Sequence, residues 1–471
     1  MSNITYDKKN YNVVAIAGTF LLGAFVAFLN STFMNVALQY IMQDLNINVS
    51  TVQWLSTGYM LATGIIIPIT AFLIDKYSTR VLFFIAMGLF ALGTAIGSLA
   101  MNFPMLLLAR LTQGLASGII TSLMQIVFLT IFPIEKRGFA MGIVGIVLAF
   151  APAIGPTLSG WILNNYPWRH LFYITLPFAI IDLILGFFLL KNVTGGKKVS
   201  IDIFSFIAST IGFGALLYGF SNAGNYSFTN INVYLPIIIG SLFLVIFTLR
   251  QLKLDDPMLD LRVFKSRVYI FSTIIVMIAY ASLISSELMI PMYLENIKGF
   301  SAFRSGLVLM PGAIVMGIMN PITGILFDKY GARILAITGL TLLALGTFGL
   351  SRLTVNTSEM YVIIIYAIRM FGIAMITMPL TTSGLNSLDR RFYSHGNAII
   401  NTLRQVAGSI GTSMIITLMT KASVYSGYTN PTEASVFGMN VSFATVGVLT
   451  TIGIILAFFT VKSKKVTNLN T

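Results

Sequence analysis

Two acidic residues lie inside long apolar stretches of the chain. Glu287 follows Ser285 and Ser286 in one stretch, and Asp182 lies in the middle of another. A carboxyl group at low dielectric resists ionisation, so it can hold a proton until solvent or a cation reaches it. Both side chains are therefore candidates for proton binding. The alternative for Glu287 is a hydrated side chain that bonds a serine or lines a gate, and for Asp182 it is a polar contact to a neighbouring helix.

Basic residues also lie within or at the edge of apolar stretches, at Arg110, Arg369 and Arg404. Arg110 and Gln113 are one helical turn apart, so they face the same way and can hold a water molecule or tune a nearby carboxyl group. The alternative is an arginine that bonds backbone carbonyls and locks helices together. Arg369 has no glutamine at the equivalent position.

These residues must be positioned by helices that cross a membrane. The chain has 471 residues, of which 56% are hydrophobic and 9% charged, and its mean hydropathy is +0.87. A soluble chain carries roughly 25% charged residues, so lipid must solvate most of this one. A crossing needs about 20 apolar residues. Fourteen such runs are predicted, at 13–37, 52–74, 81–101, 104–131, 138–163, 169–190, 203–221, 232–250, 268–293, 305–327, 333–352, 360–384, 397–420 and 436–460.

Cysteine and histidine chemistry is excluded by composition. The chain has no cysteine, and its two histidines, His170 and His395, are far apart in sequence. A disulfide, a thiolate metal site, a cysteine nucleophile and a histidine cluster are therefore ruled out. We expect neither a metal nor a cofactor.

The distribution of lysine and arginine predicts the orientation in the membrane. One set of loops, together with both ends of the chain, holds twenty-one of these residues, and the other set holds five. Basic loops stay in the cytoplasm, so both termini are predicted to be cytoplasmic. The net charge of +14 is then mostly a topology signal, which argues against nucleic-acid binding.

A segment of the chain is repeated. Residues 68–82 recur as residues 321–335, and both copies end one apolar run and turn into the next on the basic side. Such copies predict parallel halves, with domains at 1–190 and 268–471 and an inserted two-helix pair with a linker at 191–267. Each copy contains an acid and an arginine, Asp75 with Arg80 and Asp328 with Arg333. The acid is predicted to cap a helix end across the two halves and to latch one conformation, with plain turn chemistry as the alternative.

Five segments, which match four motifs, carry a family resemblance. Residues 324–333 match Gly-x-Leu-x-Asp-x-x-Gly-x-Arg, and residues 71–80 match it loosely, without either glycine. Residues 110–114 match Arg-x-x-Gln-Gly, residues 155–160 resemble Gly-Pro-x-x-Gly-Gly, and residues 29–39 resemble Leu-Asp-x-Thr-x-x-Asn-Val-Ala-Leu-Pro. Together they make the chain similar to the major facilitator superfamily, and within it to the fourteen-span drug/proton antiporter branch.

The resemblance implies an all-α integral membrane protein that exports lipophilic, often cationic drugs by alternating access. It implies that the proton gradient is the energy source. It also implies a monomer in the cell membrane, with small molecules, protons and membrane lipid as its partners. In that architecture runs 1, 4, 9 and 12 line the cavity, which favours Glu287 over Asp182 for coupling, with Arg110 beside them. The predicted substrate-binding residues are Asn30, Phe33, Met34, Gln113, Met277, Tyr280, Glu287, Tyr366 and Arg369. The predicted gate consists of the two acid and arginine pairs together with Gly155 and Pro156. The proline breaks the hydrogen-bond ladder of its helix.

One position departs from the family pattern. Asn30 stands where the branch has aspartate, and an amide cannot titrate. This favours an alternative on the same fold, a dedicated exporter of one metabolite, fatty acid or antibiotic. A membrane enzyme or flippase is disfavoured because the sequence shows no nucleophile and base set and no phosphate-binding glycine loop. A channel is disfavoured because duplicated halves with buried, unequal charges suit alternating access.

Overall fold

The computed structural model describes residues 11–194, 196, 202–223 and 226–461. Some of the basic residues that predict the orientation lie outside the described residues, namely Lys8, Lys9, Lys197, Lys198, Lys462, Lys464 and Lys465. Both end segments, on which the predicted orientation of the termini depends, also lie outside the described residues.

The described chain contains fourteen long α-helices and no strand. They are α1 (Val13–Asp44), α2 (Val49–Lys76), α3 (Thr79–Ser98), α4 (Phe103–Ile131), α5 (Arg137–Asn165), α6 (His170–Leu189), α7 (Ile203–Ala223), α8 (Ile231–Gln251), α9 (Arg267–Met292), α10 (Ala302–Tyr330), α11 (Ala332–Leu350), α12 (Glu359–Asn386), α13 (Tyr393–Val424) and α14 (Pro431–Thr460). The prediction of an all-α membrane chain is confirmed for the described residues.

Thirteen of these helices are long and apolar enough to cross a membrane. The fourteenth, α13, is 32 residues long but includes His395, Arg404, Gln405 and Lys421. The number of spans is therefore thirteen or fourteen.

Asparagine side chains cap several helices. Asn12 accepts from the amides of Val14 and Ala15 at the start of α1, and Asn102 accepts from the amide of Met105 at the start of α4. The first amides of a helix lack an intrahelical partner, so these caps fix where the helix begins.

Two large apolar cores hold the helices together. The first includes Phe20 of α1, Phe83 of α3 and Phe128 of α4. The second includes Leu340 of α11 and Phe443 of α14. Other apolar side chains point outward, as on α6 and α8, where such residues are numerous. Because a soluble surface seldom carries so many, these faces are suited to lipid.

Helix α7 contacts two helices that are distant in sequence. Tyr218 stacks on Trp54 of α2, with 5.6 Å between ring centroids. The Ser413 hydroxyl of α13 donates to the carbonyl of Phe220. The helix pair α7 and α8 is therefore anchored along the seam between α2 and α13.

Candidate functional site

A cavity of about 230 Å³ lies between α1, α5, α9, α10 and α12. Glu287 is exposed on its wall, and Asn35, Pro291, Met310 and Tyr366 also line it. A carboxyl group on a largely apolar wall suits a lipophilic molecule that carries a positive charge. We call this space the Glu287 cavity.

Helices α1 and α5 meet closely at the Glu287 cavity. A Cβ atom at Gly155 would overlap the hydroxyl of Thr32, and this hydroxyl group donates to the carbonyl of Leu29 at 2.8 Å. Pro156, the next residue, lines the cavity. The predicted gate residues Gly155 and Pro156 therefore shape a wall of this cavity.

Arg110 lies in a buried polar network between α1, α2 and α4. Its guanidinium donates to Asn30 Oδ1 and Gln113 Oε1, both at 2.9 Å, and to the carbonyl of Leu55 at 3.2 Å. Tyr59 covers it, with 4.3 Å from the guanidinium carbon to the ring centroid. Asn30, Arg110 and Gln113 are at most 1% exposed, so none of them faces the cavity in this conformation.

Arg369 occupies a similar buried place between α9, α11 and α12. Its Nε donates to Thr347 Oγ1 at 2.9 Å, and its Nη2 donates to the hydroxyl and carbonyl of Ser282 at 2.8 and 3.1 Å. Its Nη1 is buried and has no hydrogen-bond partner among the described residues. Arg369 therefore keeps a spare donor on α12, a helix that lines the Glu287 cavity.

Asp182 is fully buried between α6, α1 and α3. A Cβ atom at Gly23 would come within 2.5 Å of Asp182 Oδ2, and Met87 lies beside the same glycine. Neither carboxyl oxygen has a hydrogen-bond partner among the described residues. The polar contact considered for this residue is thus missing from the described chain, and a charge here would have no such partner to offset the free energy of burial.

Helices α5 and α10 meet closely at the basic end, where Lys136 and Lys329 lie. Gly138 and Gly324 approach so closely that a Cβ atom on either would overlap the carbonyl oxygen of the other. The Asp328 carboxylate accepts from the amides of Gly138 at 2.8 Å and Phe139 at 2.9 Å. Asp328 thus caps the N-terminus of α5, where the helix dipole favours a negative charge.

Asp75 occupies the corresponding position between α2 and α13. Its Oδ1 accepts from the Ser394 hydroxyl at 2.7 Å, and its Oδ2 lies 3.7 Å from His395 Nε2. Deeper along the seam, Asn401 Nδ2 donates to Gln125 Oε1 at 2.7 Å. Polar contacts therefore hold the basic end closed on both sides, while the Glu287 cavity lies toward the other end of the helices.

The two motif arginines do not point at the acids of their own motifs. Arg80 donates to the carbonyl of Phe187 in α6 at 2.9 Å, and Arg333 donates to the carbonyl of Phe458 in α14 at 3.1 Å. Each arginine thus bonds the C-terminal part of a helix, where a positive charge is favoured. The equivalent contacts agree with the sequence repeat.

The other predicted substrate residues are spread over different environments. Phe33 and Met34, each 1% exposed, lie in an apolar core with Ile41 and Leu55. Met277 is half-buried. Their role in binding stays a prediction, with Phe33 and Met34 placed away from the cavity wall in this conformation.

The sequence reasoning missed two walls of the Glu287 cavity. Helix α10 contributes Leu309, Ala313 and Met316, and α5 contributes Pro152. Leu309, Ala313 and Met316 are spaced by four and three residues, so they share one helical face. That spacing could have indicated a helix face that lines a cavity, but residues that face lipid repeat at the same spacing. The expected contribution of the fourth run is not seen, because Arg110 and Gln113 of α4 point into the buried network.

Comparison with known proteins identifies relatives of the whole chain. The profile of the Major Facilitator Superfamily matches residues 20–412. The uncharacterized MFS-type transporter YcnB of Bacillus subtilis (strain 168) is 48% identical over 456 residues, 97% of each chain. The lincomycin resistance protein LmrB of the same organism is 41% identical over 462 residues, 96% of each chain. Among solved structures, a double-tryptophan variant of XylE has a TM-score of 0.70 at 14% identity and covers 96% of each chain, a likeness of fold.

Proposed function

Because the chain belongs to the major facilitator superfamily of membrane transporters, we propose that it exports lipophilic, often cationic drugs in exchange for protons. We place it in the fourteen-span drug/proton antiporter branch, in the cell membrane, with both termini in the cytoplasm. The energy source is the proton gradient, and the working unit is a monomer. The domain division at 1–190, 191–267 and 268–471 belongs to this proposal.

The position of Glu287 is the observation that carries the proposal. It is a carboxyl group on the wall of a cavity that lies away from the closed basic end. With the basic end in the cytoplasm, this conformation faces outward. A proton that enters from outside can then displace a bound cation from Glu287, and reorientation carries the proton inward.

Buried Asp182 is the second coupling candidate. It lies within the first half of the chain, away from the residues that line the Glu287 cavity. It can take part only if a conformational change brings water or a charged group to it. We therefore assign the direct exchange of proton and substrate to Glu287.

A second candidate function is the export of a single antibiotic. Two observations favour it. Asn30 supplies no second acid and is hydrogen-bonded to Arg110 inside the first half. A relative that matches nearly the full length is named for resistance to one drug, lincomycin. Lincomycin carries a basic amine, so Glu287 serves as its partner under this proposal as well.

The test is ethidium efflux from proteoliposomes under an imposed pH gradient, with the native chain compared with Glu287→Gln. We expect the variant to lose gradient-driven efflux by about tenfold or more and to keep measurable ethidium binding. The matched control is Glu433→Gln, which removes an exposed acid at the start of α14. If Glu287→Gln transports normally, Glu287 is not the coupling acid.

Lincomycin in the same assay separates the two candidate functions. Efflux of both compounds supports the broad drug exporter. Efflux of lincomycin alone supports the dedicated exporter, and efflux of neither compound contradicts both candidates.

A further inference from the structure

A second cavity, of about 170 Å³, lies between α2, α7, α9 and α13. Its wall includes Thr57 of α2, Ser221 of α7, and Gln405, Ser409 and Thr412 of α13. The remaining wall is largely apolar. We call this space the Gln405 cavity.

The Gln405 cavity differs from the Glu287 cavity in charge. None of the described residues that line it carries a formal charge. Behind its wall lies Arg404, whose guanidinium carbon is 4.7 Å from the ring centroid of the lining residue Tyr280. Arg404 Nε is buried and has no hydrogen-bond partner among the described residues. A positive charge this close disfavours a cation and favours an uncharged group that offers hydrogen-bond acceptors.

One face of α9 connects the two cavities. Tyr280 and Ile284 line the Gln405 cavity, and Glu287 and Pro291 line the Glu287 cavity. These residues follow one another at intervals of four, three and four, so they share one helical face. Ile284 and Glu287 are separated by about 4.5 Å along the helix axis, at 1.5 Å per residue. A molecule of ordinary drug size is long enough to contact both positions.

Helix α7 completes the wall of the Gln405 cavity. It contributes Leu217 and Ser221, and it is held in place by the Trp54 and Tyr218 stack and by the Ser413 bond to Phe220. The helix pair α7 and α8 therefore supplies part of a cavity surface in addition to covering the seam between α2 and α13.

We propose that the Gln405 cavity binds the uncharged, hydroxyl- or amide-bearing part of a transported molecule, while the Glu287 cavity binds its cationic part. This inference rests on the proposed export function and deepens it, because it names the two chemical parts of a substrate. Uncharged amphiphiles without a cationic group bind mainly in the Gln405 cavity. The inserted helix α7 is thus a determinant of substrate specificity.

Equilibrium binding to the purified full-length protein tests the division, with ethidium as a cationic probe and chloramphenicol as an uncharged amide with two hydroxyl groups. Ser221→Phe fills the Gln405 cavity from α7, and Gln405→Ala removes its amide without adding bulk. We expect each variant to raise the Kd of chloramphenicol about tenfold more than the Kd of ethidium. Glu287→Gln should raise the Kd of ethidium more than that of chloramphenicol. The control for added bulk is Thr341→Phe, at an exposed site of α11.

The outcomes separate the inference from the proposed function. If the native protein binds neither probe, the export proposal and this inference both fail. If it binds both, and the two cavity variants weaken both equally or leave chloramphenicol unaffected, only the division fails. If the two cavity variants leave chloramphenicol binding unaffected, the result would indicate that a lipid chain, and no transported molecule, occupies the Gln405 cavity.

Discussion

The buried arginines of α4 and α12 have related but unequal surroundings. Arg110 reaches Thr94 through Gln113, and Arg369 bonds Thr347 directly. The two threonines are separated by 253 residues, the offset of the repeated segment. The offset of the repeated segment therefore also relates one threonine in each of the two arginine networks.

The difference between the arginines lies in the acceptors that they bond and in their nearness to the Glu287 cavity. Arg110 has three acceptors from three different residues, and none of them is an acid. Arg369 leaves Nη1 without a described partner, and its bonding partner Ser282 lies on the helix that carries Glu287. We infer that the first arginine mainly holds helices together, whereas the second remains available to respond to the charge of the cavity.

The largest expected effect separates the two arginines by stability. Arg110→Met leaves the oxygens of Asn30, Gln113 and Leu55 without this donor, at about 1–3 kcal/mol for each buried acceptor that stays unpaired. We expect a loss of about 3 kcal/mol in the free energy of unfolding, measured in detergent. Arg369→Met should lose less, because Thr347 and Ser282 are hydroxyl groups that can turn to other acceptors. Equal losses would contradict the comparison.

The next effect concerns the two acids of the repeat. Asp328→Asn weakens two charge-assisted bonds to the start of α5, and each such bond is worth about 1.5–3 kcal/mol. We expect the basic end to open more often and the outward-facing conformation to be less populated. Because the native chain has no cysteine, a single cysteine at Ala313 on the cavity wall reports this change. Its labelling by an impermeant maleimide should slow several-fold.

Asp75→Asn is the matched variant for the other half. It keeps the size of the side chain that accepts from Ser394 and faces His395. A smaller change in labelling than for Asp328→Asn is expected, since an amide oxygen can still accept from a hydroxyl. A larger change would mean that the seam between α2 and α13 is the main latch.

A smaller effect is expected when the family acid is restored. Asn30→Asp places a carboxylate beside Arg110, which donates to this position at 2.9 Å. The new charge is neutralised locally, so the Kd of ethidium should change by less than about twofold. Binding titrations of the native chain and the variant check this. A tighter Kd by tenfold would show that position 30 reaches the substrate, against its burial here.

The smallest effect concerns Asp202, just before α7, and Arg250 of α8. Two hydrogen bonds from Arg250, at 2.7 and 3.0 Å, lower the pKa of Asp202 to about 2. Because the pKa is lower in the folded state, the pair stabilises the fold when the pH is above the unfolded-state pKa of about 3.9. This contribution is lost as the pH falls through about 2. The stability from this pair should therefore be constant between pH 5 and 8. Asp202→Asn should cost less than about 1 kcal/mol, as for other exposed pairs, and melting curves at both pH values check it.

Much of the fold follows from the sequence. The apolar runs correspond to the long helices, although several helices extend beyond them, as α13 does at Tyr393–Val424 against the predicted 397–420. The helices extend beyond the apolar runs because their ends, at the membrane surface, contain polar residues. A hydropathy pattern does not count such residues as part of a membrane span. The motif acids Asp75 and Asp328 lie near the ends of α2 and α10, and their role as a latch stays a prediction.

The candidate site was less predictable. Glu287 stood out because an acid in an apolar run is rare and costly. Phe33 and Met34 were predicted to bind substrate because of their residue types and their place in the first apolar run, yet they lie in the core. The part of the cavity wall that α10 forms with Met310 and Met316 was not predicted. Both the core and the lipid face of a membrane helix are apolar, so residue type does not tell which side faces a cavity.

The sequence by itself determined that this is a helical membrane transporter with a repeated segment, because hydropathy and motif spacing are local properties of the chain. Only the tertiary structure decided that Asn30 and Arg110 are buried in a network between α1, α2 and α4, that α5 and α10 line the cavity, and that α7 contacts both α2 and α13. The physical reason is that these facts depend on which apolar faces meet. Residues far apart in sequence set that choice through glycine contacts and buried polar bonds.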